Sequence, residues 1–398
     1  MSRKIYIMLL CSIIIVLIAN GFRQTFGIFL LPVVADLDIS RQTFGLVVAI
    51  QALLFGFVQP VAGLIADRHG SFKVILGGAF LYALGLWLMS ISANAIDLHI
   101  SLSFLVGLGL AGTTQVIVLG AIGKVVPNER RGFVFGTVIA SGSFGMFLFV
   151  PSLQGMMGIF GWRETLIIMA SLVLLIPLLA IGLRINAPTN NVGKIQSLRE
   201  AIGEARCHRG YILLVVGFFV CGFHVTFIST HFPAYLADKG VSLSAAAYAL
   251  GIIGLFNILG AYVFGAAGDR YRKKNLLTFI YSSRAFVMIV MLVLPITDNT
   301  ALIFGAILGV LWLATVPLTS GIVAQIFGTQ YFSMLYGIVF MSHQFGAFSG
   351  AWLGGYIYEI AGSYDLMWVA SAALGLAAAT LHWPINDKPL DRIASQSS

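Results

Sequence analysis

Two residues in otherwise apolar surroundings carry the first chemistry: Arg23 in Gly21-Phe22-Arg23-Gln24-Thr25-Phe26, and His224 in Gly222-Phe223-His224-Val225-Thr226-Phe227. The second hexapeptide repeats the first about 201 positions later, and each is followed by a proline, Pro32 and Pro233. A guanidinium can grip a carboxylate through two parallel hydrogen bonds, and an imidazole takes up or releases a proton near neutral pH. A cation inside hydrocarbon costs about 2.5–3.5 kcal/mol or more, so an intramembrane arginine calls for a partner. All 15 Asp and Glu residues fall in loops or at the ends of apolar runs, so no carboxylate is available at mid-membrane to meet it. A small organic anion is the partner we expect for Arg23, with a proton as the possible second passenger on His224. On its helix His224 shares a face with Phe227 and His231, and His231 falls near the rim.

These residues need a membrane scaffold. The chain is 59% hydrophobic and 10% charged, with a mean hydropathy of +0.96. That composition excludes a soluble globule. Apolar runs of spanning length are predicted at 5–34, 42–66, 74–93, 98–121, 133–156 and 164–184, then at 211–236, 244–267, 275–295, 300–324, 331–357 and 364–383. The expected fold is all-α, with twelve transmembrane helices in two pseudo-symmetric six-helix bundles. Gly136, Ser141, Phe144 and Gly145 recur as Gly337, Ser342, Phe345 and Gly346, so the two bundles are homologous. We expect an N-terminal bundle over 1–185, a cytoplasmic linker over 186–208 that begins Asn-Ala-Pro-Thr-Asn-Asn, and a C-terminal bundle over 209–398. The charged piece around Leu198-Arg199-Glu200 could form a short surface helix, and the tail from Pro384 is expected to be poorly ordered.

Lysine and arginine set the orientation. Arg3, Lys4, Arg68, Lys73, Lys124, Arg130, Arg131, the linker cations, Arg270, Arg272, Lys273, Lys274, Lys388 and Arg392 lie on one side. The other side holds Arg41, Arg163 and Lys239. Both termini are therefore expected in the cytoplasm of a multi-pass protein of a bacterial inner membrane. The net charge of +8 follows from this sidedness and from contact with anionic membrane lipids, not from nucleic-acid binding. Met1 leads straight into an apolar run without a cleavage site, so the first segment is expected to be retained. The three cysteines, Cys11, Cys207 and Cys221, are expected as free thiols; no metal and no cofactor are expected.

Gly63-Leu-Ile-Ala-Asp67-Arg68-His69-Gly70, and its echo Gly265-Ala-Ala-Gly-Asp269-Arg270, sit after the second and eighth runs. This turn resembles the signature of the major facilitator superfamily, although Ser71 and Phe72 stand where basic residues are common in that family. The resemblance implies a transporter fold and a gating role for Asp67, Arg68, Asp269 and Arg270. The run Gly21 to Gly27, the Gly161-Trp162-Arg163 turn and the segment Trp312 to Gly321 further resemble bacterial relatives of the monocarboxylate porters. The animal-type porters carry a lysine in span one and an aspartate-arginine pair in span eight. Here span eight offers Asn257, so their proton-lactate mechanism does not carry over residue by residue.

The superfamily resemblance places spans one, four, seven and ten around the cavity. Candidate substrate ligands are then Arg23 and Asn20 on span one, His224 on span seven, Gln115 on span four, Trp312 and Thr315 on span ten, and His343 on span eleven. His224 is also the candidate for proton coupling. Arg284, in outer span nine, is expected to be structural, held by backbone carbonyls or by Ser282 and Ser283. The leading expectation is a monomeric secondary carrier of a small organic anion, a monocarboxylate. An exporter of amphipathic or drug-like compounds is the alternative. A receptor or embedded enzyme is disfavoured, since no phosphate-binding glycine loop and no nucleophile-base cluster occurs.

Overall fold

A computed structural model describes residues 3–123, 125–126, 128–184, 198–328 and 332–390. Among these every regular element is helical. Eleven stretches are long and apolar enough to cross a membrane, and Phe332–Ala361, a 30-residue apolar helix, is the twelfth span. Span one runs as Arg3–Arg23 and Phe26–Leu37, span two is Arg41–His69, span three Ser71–Ser90, span four Ala95–Ile122, span five Asn128–Phe160 and span six Trp162–Leu183. The second set is Arg209–Asp238, Leu243–Arg270, Lys273–Val293, Asp298–Phe327, Phe332–Ala361 and Asp365–His382, spans seven to twelve.

Each half is built alike. Span one packs on five, three on six and two on four; span seven packs on eleven, nine on twelve and eight on ten. Large side chains such as Phe80, Trp87, Tyr262, Phe286 and Ile303 stay exposed on the outside, where lipid is as apolar as they are. Association between helices in such a solvent depends on close packing and polar contacts, not on removing oil from water. Glycine supplies that closeness: a Cβ on Gly21 would lie 2.9 Å from the backbone of Gly145, which places spans one and five almost backbone to backbone.

The halves meet through spans two and eleven, five and eight, and one and seven. We call the face that carries Arg3 and the residues after span twelve the terminal face, and the opposite one the far face. Midway, a Cβ at Gly56 would meet Gln344 at 2.8 Å, and one at Gly254 would meet Ser143 O at 2.6 Å. Two or three helical turns nearer the terminal face, on those same helix faces, lie Gly63, Gly337, Gly136 and Gly265. Around each of these there is open space. The halves thus touch from mid-membrane to the far face and part toward the terminal face.

Local chemistry explains the element ends. Ser40, Ser242 and Thr297 accept from the backbone N–H three residues on, capping spans two, eight and ten. Of the linker, 186–197 lies outside the described residues, while Leu198–Cys207 is a short helix with Ala201 and Ala205 buried. Up to Leu390 the tail is not loose, contrary to the expectation from its polarity. Arg272 pairs with Asp387 at 2.6 Å, Gln325 donates to Asp387 O at 2.7 Å, and Leu390 N donates to Ile326 O at 3.1 Å. The cations after span eight and the polar end of span ten thus find their partners in the tail.

Candidate functional site

Three helices break where candidate residues stand. Span one turns at Gln24 and Thr25 directly after Arg23, and the Thr25 hydroxyl donates back to Phe22 O at 2.7 Å. Span four breaks at Thr114, immediately before Gln115. Span ten breaks from Trp312 to Ala314, immediately before Thr315. Broken helices expose backbone polar groups, which inside a membrane is tolerated only against protein or a water-filled cavity.

Arg23 lies partly accessible at the junction of the halves. Its guanidinium carbon is 5.1 Å from the centroid of the Phe55 ring on span two, and no carboxylate among the described residues pairs with it. It lines a cavity of about 20 Å³ with Gln24, Gln51, Thr226, Ser229 and Thr230. That is room for little more than a water molecule. Gln51 is buried, and its Nε2 has no hydrogen-bond partner. On the far side of the cavity Gly27 lies against the backbone of Ser229, so spans one and seven close it off. On the terminal side, one turn earlier, Asn20 donates to Gln115 Oε1 at 3.3 Å, joining spans one and four.

The second half contributes two groups of polar residues. Thr226, Ser229 and Thr230 form the face of span seven turned to the Arg23 cavity. His224 occupies another face: its Nε2 donates to Ser371 O on span twelve at 2.8 Å, and its Nδ1 is unpartnered. The carbonyl can only accept, so the proton sits on Nε2 in this arrangement. His343 is buried with its ring stacked on Phe340, centroids 5.2 Å apart, and its Nδ1 unpartnered. Thr315 is buried with its hydroxyl 3.3 Å from Cys221 Sγ, and Trp312 is buried with an unpartnered Nε1. The structure therefore brings Arg23 to the centre with Asn20 and Gln115 adjoining. It seats His224, His343, Trp312 and Thr315 within the second half, outside the lining of the Arg23 cavity.

Arg284 is buried in span nine and bonds to the break in span ten. Its Nε and Nη2 donate to Leu311 O at 3.0 and 2.6 Å, and Nη2 also reaches Trp312 O. A charged donor here satisfies carbonyls that the broken helix leaves open. Asn257 completes the junction from span eight: Oδ1 accepts from Leu313 N at 2.8 Å, and Nδ2 donates across to Ser143 of span five at 2.8 Å.

Sequence reasoning passed over Gln51, Ser229, Thr230 and the far-face closure. There Arg41, at the start of span two, makes two bonds to Asp238 at the end of span seven, 2.5 and 2.8 Å. Its backbone N–H donates to Glu359 of span eleven at 2.9 Å, its Nη1 to Tyr364 at 3.3 Å, and its guanidinium stacks on Tyr358 at 3.8 Å. Every one of these partners belongs to the other half. At the terminal face, Asp269 and Arg270 are exposed at the end of span eight. The side chains of Asp67 and Arg68 lie outside the described residues.

A polytopic all-helical chain with two equivalent halves around a mid-membrane arginine has the build of a solute carrier. The Major Facilitator Superfamily profile matches residues 10–319, and the chain belongs to that superfamily of transporters. It is 22% identical to Monocarboxylate transporter 13 of Rattus norvegicus over 90% of this chain and 83% of that protein. It is 25% identical to the uncharacterized MFS-type transporter YcxA of Bacillus subtilis over 97% of this chain and 96% of that one. In fold it is similar to a D-xylose-proton symporter, with a TM-score of 0.79 and 15% identity over 98% of this chain and all of the other.

Proposed function

We propose that this transporter carries a small organic anion, a monocarboxylate, by alternating access, with a proton as co-substrate and no catalytic step of its own. One observation carries the reading: Arg23 stands between the halves, accessible and without a carboxylate, beside the unpartnered amide of Gln51. From the protein itself, Phe55 offers the cation a ring face, worth about 0.5–2 kcal/mol. A carboxylate would supply charge-assisted bonds at a place where little water competes. Asn20 and Gln115 extend the polar path toward the terminal face, and Trp312, Thr315 and His343 are the proposed second-half contributors as that half moves. His224 retains one free ring nitrogen and is the proposed proton site within the bundle.

Sidedness supports a terminal face in the cytoplasm of a bacterial inner membrane, because the excess of Lys and Arg lies there. In that orientation the open mouth faces inward. The bundles are taken as 1–185 and 209–398, with 186–208 between them, working as a monomer in the lipid. Asp67, Arg68, Asp269 and Arg270 are proposed to latch the terminal face in the opposite state, and Arg284 to hold span ten.

The test is uptake of labelled monocarboxylates into proteoliposomes under an imposed pH gradient. Uptake that vanishes in Arg23→Ala but persists in Arg284→Lys is expected. Dye efflux that is indifferent to Arg23→Ala, with no carboxylate uptake by the parent protein, would replace the reading with export of amphipathic compounds.

A further inference from the structure

The far-face closure contains a histidine that the transport path just described does not use. His231 lies seven residues beyond His224 on span seven and is fully buried. Its Nε2 is 2.7 Å from Ala351 O of span eleven. A carbonyl only accepts, so Nε2 carries a proton. Its Nδ1 is 3.2 Å from the Tyr364 hydroxyl just ahead of span twelve. Arg41 donates to that same hydroxyl oxygen from the other half, at 3.3 Å. A guanidinium has no acceptor, so the Tyr364 proton is not spent on Arg41, and Nδ1 of a neutral imidazole is the acceptor within reach. Burial raises the phenol of Tyr364 well above the usual tyrosine range, so it has that proton to give. With a neutral imidazole, donor directions run without conflict along one chain, from Arg41 to Tyr364 to His231 to Ala351.

We propose that His231 is a proton-binding site that keeps the far-face gate shut only while it is neutral, so that a proton arriving from the far side releases the gate. The inference rests on the alternating-access reading. Protonation places an N–H on Nδ1 against the Tyr364 O–H, donor against donor, and a second cation beside Arg41. Tyr364 could accept from both only by turning its own proton toward the surrounding rings of Phe227 and Tyr358.

Among the described residues the ring nitrogens bond only to Tyr364 and Ala351, and no carboxylate pairs with them directly. From span two the ring faces Arg41, from span eleven Tyr358 and Glu359, from the start of span twelve Tyr364, and on its own helix Tyr235 and Asp238. Both Asp238 oxygens are taken by the Arg41 guanidinium, and Glu359 Oε1 accepts the Arg41 backbone N–H. The Asp365 carboxylate lies 3.7 Å from Lys239 at the rim. A Cβ added at Gly354 would collide with the ring, so span eleven packs closely against the imidazole. Breaking the Arg41 contacts, and so parting the halves, relieves both the opposed donors and the adjacent positive charges.

The experiment is double electron-electron resonance in nanodiscs. Spin labels at Ala93→Cys and Asn299→Cys, exposed far-face positions on opposite halves, are placed in protein lacking the native thiols. One linked proton changes the ratio of far-open to far-closed protein by at most about tenfold per pH unit. We expect a rise of about tenfold in the parent protein between pH 8 and pH 5.5. His231→Gln, whose amide can accept from Tyr364 and donate to Ala351 O without titrating, is expected to remain closed at both pH values. Tyr364→Phe, which removes the opposing donor, is expected to blunt the response. The same pH response in His231→Gln, or none in the parent, would overturn the proposal. A single distance population even in Arg41→Leu would instead sink alternating access. Loss of the anion reading alone, through Arg23→Ala transporting normally, would leave the gate response intact.

Discussion

Arg41→Leu removes the clasp across the far face while keeping most of the aliphatic bulk. The side chain of Arg41 is 12% exposed and that of Asp238 30%. The pair is therefore neither a surface bridge, worth about 0–1 kcal/mol, nor a fully buried one, whose breakage costs about 3–5 kcal/mol. Two charge-assisted bonds to one carboxylate, stacking on Tyr358 and a bond to Tyr364 put the loss at about 2–3 kcal/mol after allowing for Asp238's access to water. All of it falls on the far-closed state, because every partner lies across the junction. The ratio of far-open to far-closed protein should rise about 30- to 150-fold. The reporter is Ser229→Cys on the cavity wall, with Cys11, Cys207 and Cys221 replaced and a membrane-impermeant maleimide applied from the far side. Labelling should accelerate by at least an order of magnitude if closure limits access. Arg163→Leu is the control: Arg163 bonds to Asp36, Ser90 O and Ser92 O, all within its own half. Its loss should not alter labelling. Equal rates in the parent and Arg41→Leu would refute the assignment of Arg41 to closure.

Other perturbations read other parts of the structure. Arg23→Lys should retain a fraction of anion uptake with a raised KM, because a point charge replaces the planar fork, and Arg23→Ala should retain none; labelled-substrate uptake measures both. Asn257→Leu leaves the Leu313 N–H without its acceptor and severs the bond to Ser143, so thermal unfolding in detergent should report a loss of about 1–3 kcal/mol. Arg284→Met should cost at least as much, since it bares Leu311 O and Trp312 O, with Arg284→Lys falling between in the same melt. His208 caps span seven by accepting from Tyr211 N at 3.1 Å, and burial lowers its pKa below the ordinary histidine value. Its neutral form is favoured in the folded protein. That stability is present above about pH 6.5 and lost as pH falls through the folded value. Protection of amides at the start of span seven, measured against their intrinsic exchange rate, should therefore fall in acid, and His208→Asn, which still caps, should remove that fall.

The scaffold was readable from sequence because lipid imposes it: apolar runs of fixed length and a repeat at constant shift leave few alternatives. Arg23 was readable for the same reason, being a charge where charge is costly. Arg41 was not, since a cation at a helix end near an aqueous face looks like any topology signal. Only the arrangement of spans two, seven and eleven brings Asp238, Glu359 and Tyr364 to it. Span seven illustrates a subtler limit. Helical spacing groups His224 with Phe227 and His231, and Thr226 with Ser229 and Thr230, but which group faces the centre depends on how spans eleven and twelve pack behind. The buried tail was hidden likewise: Asp387 and Leu390 read as polar terminus until the ends of spans nine and ten stand beside them.

The unpaired charge on Arg23 has an electrical consequence. With an anion aboard the Arg23 charge is cancelled and the co-transported proton travels on His224, whereas the vacant centre holds the full positive charge of Arg23, whose access switches between the two aqueous compartments. A membrane potential acts on such a charge with about 2.3 kcal/mol per 100 mV. With the terminal face inside, as proposed, a negative interior would hold the vacant carrier with its mouth inward and slow its reset. Capacitive transients recorded without substrate, and abolished in Arg23→Gln, would reveal that step.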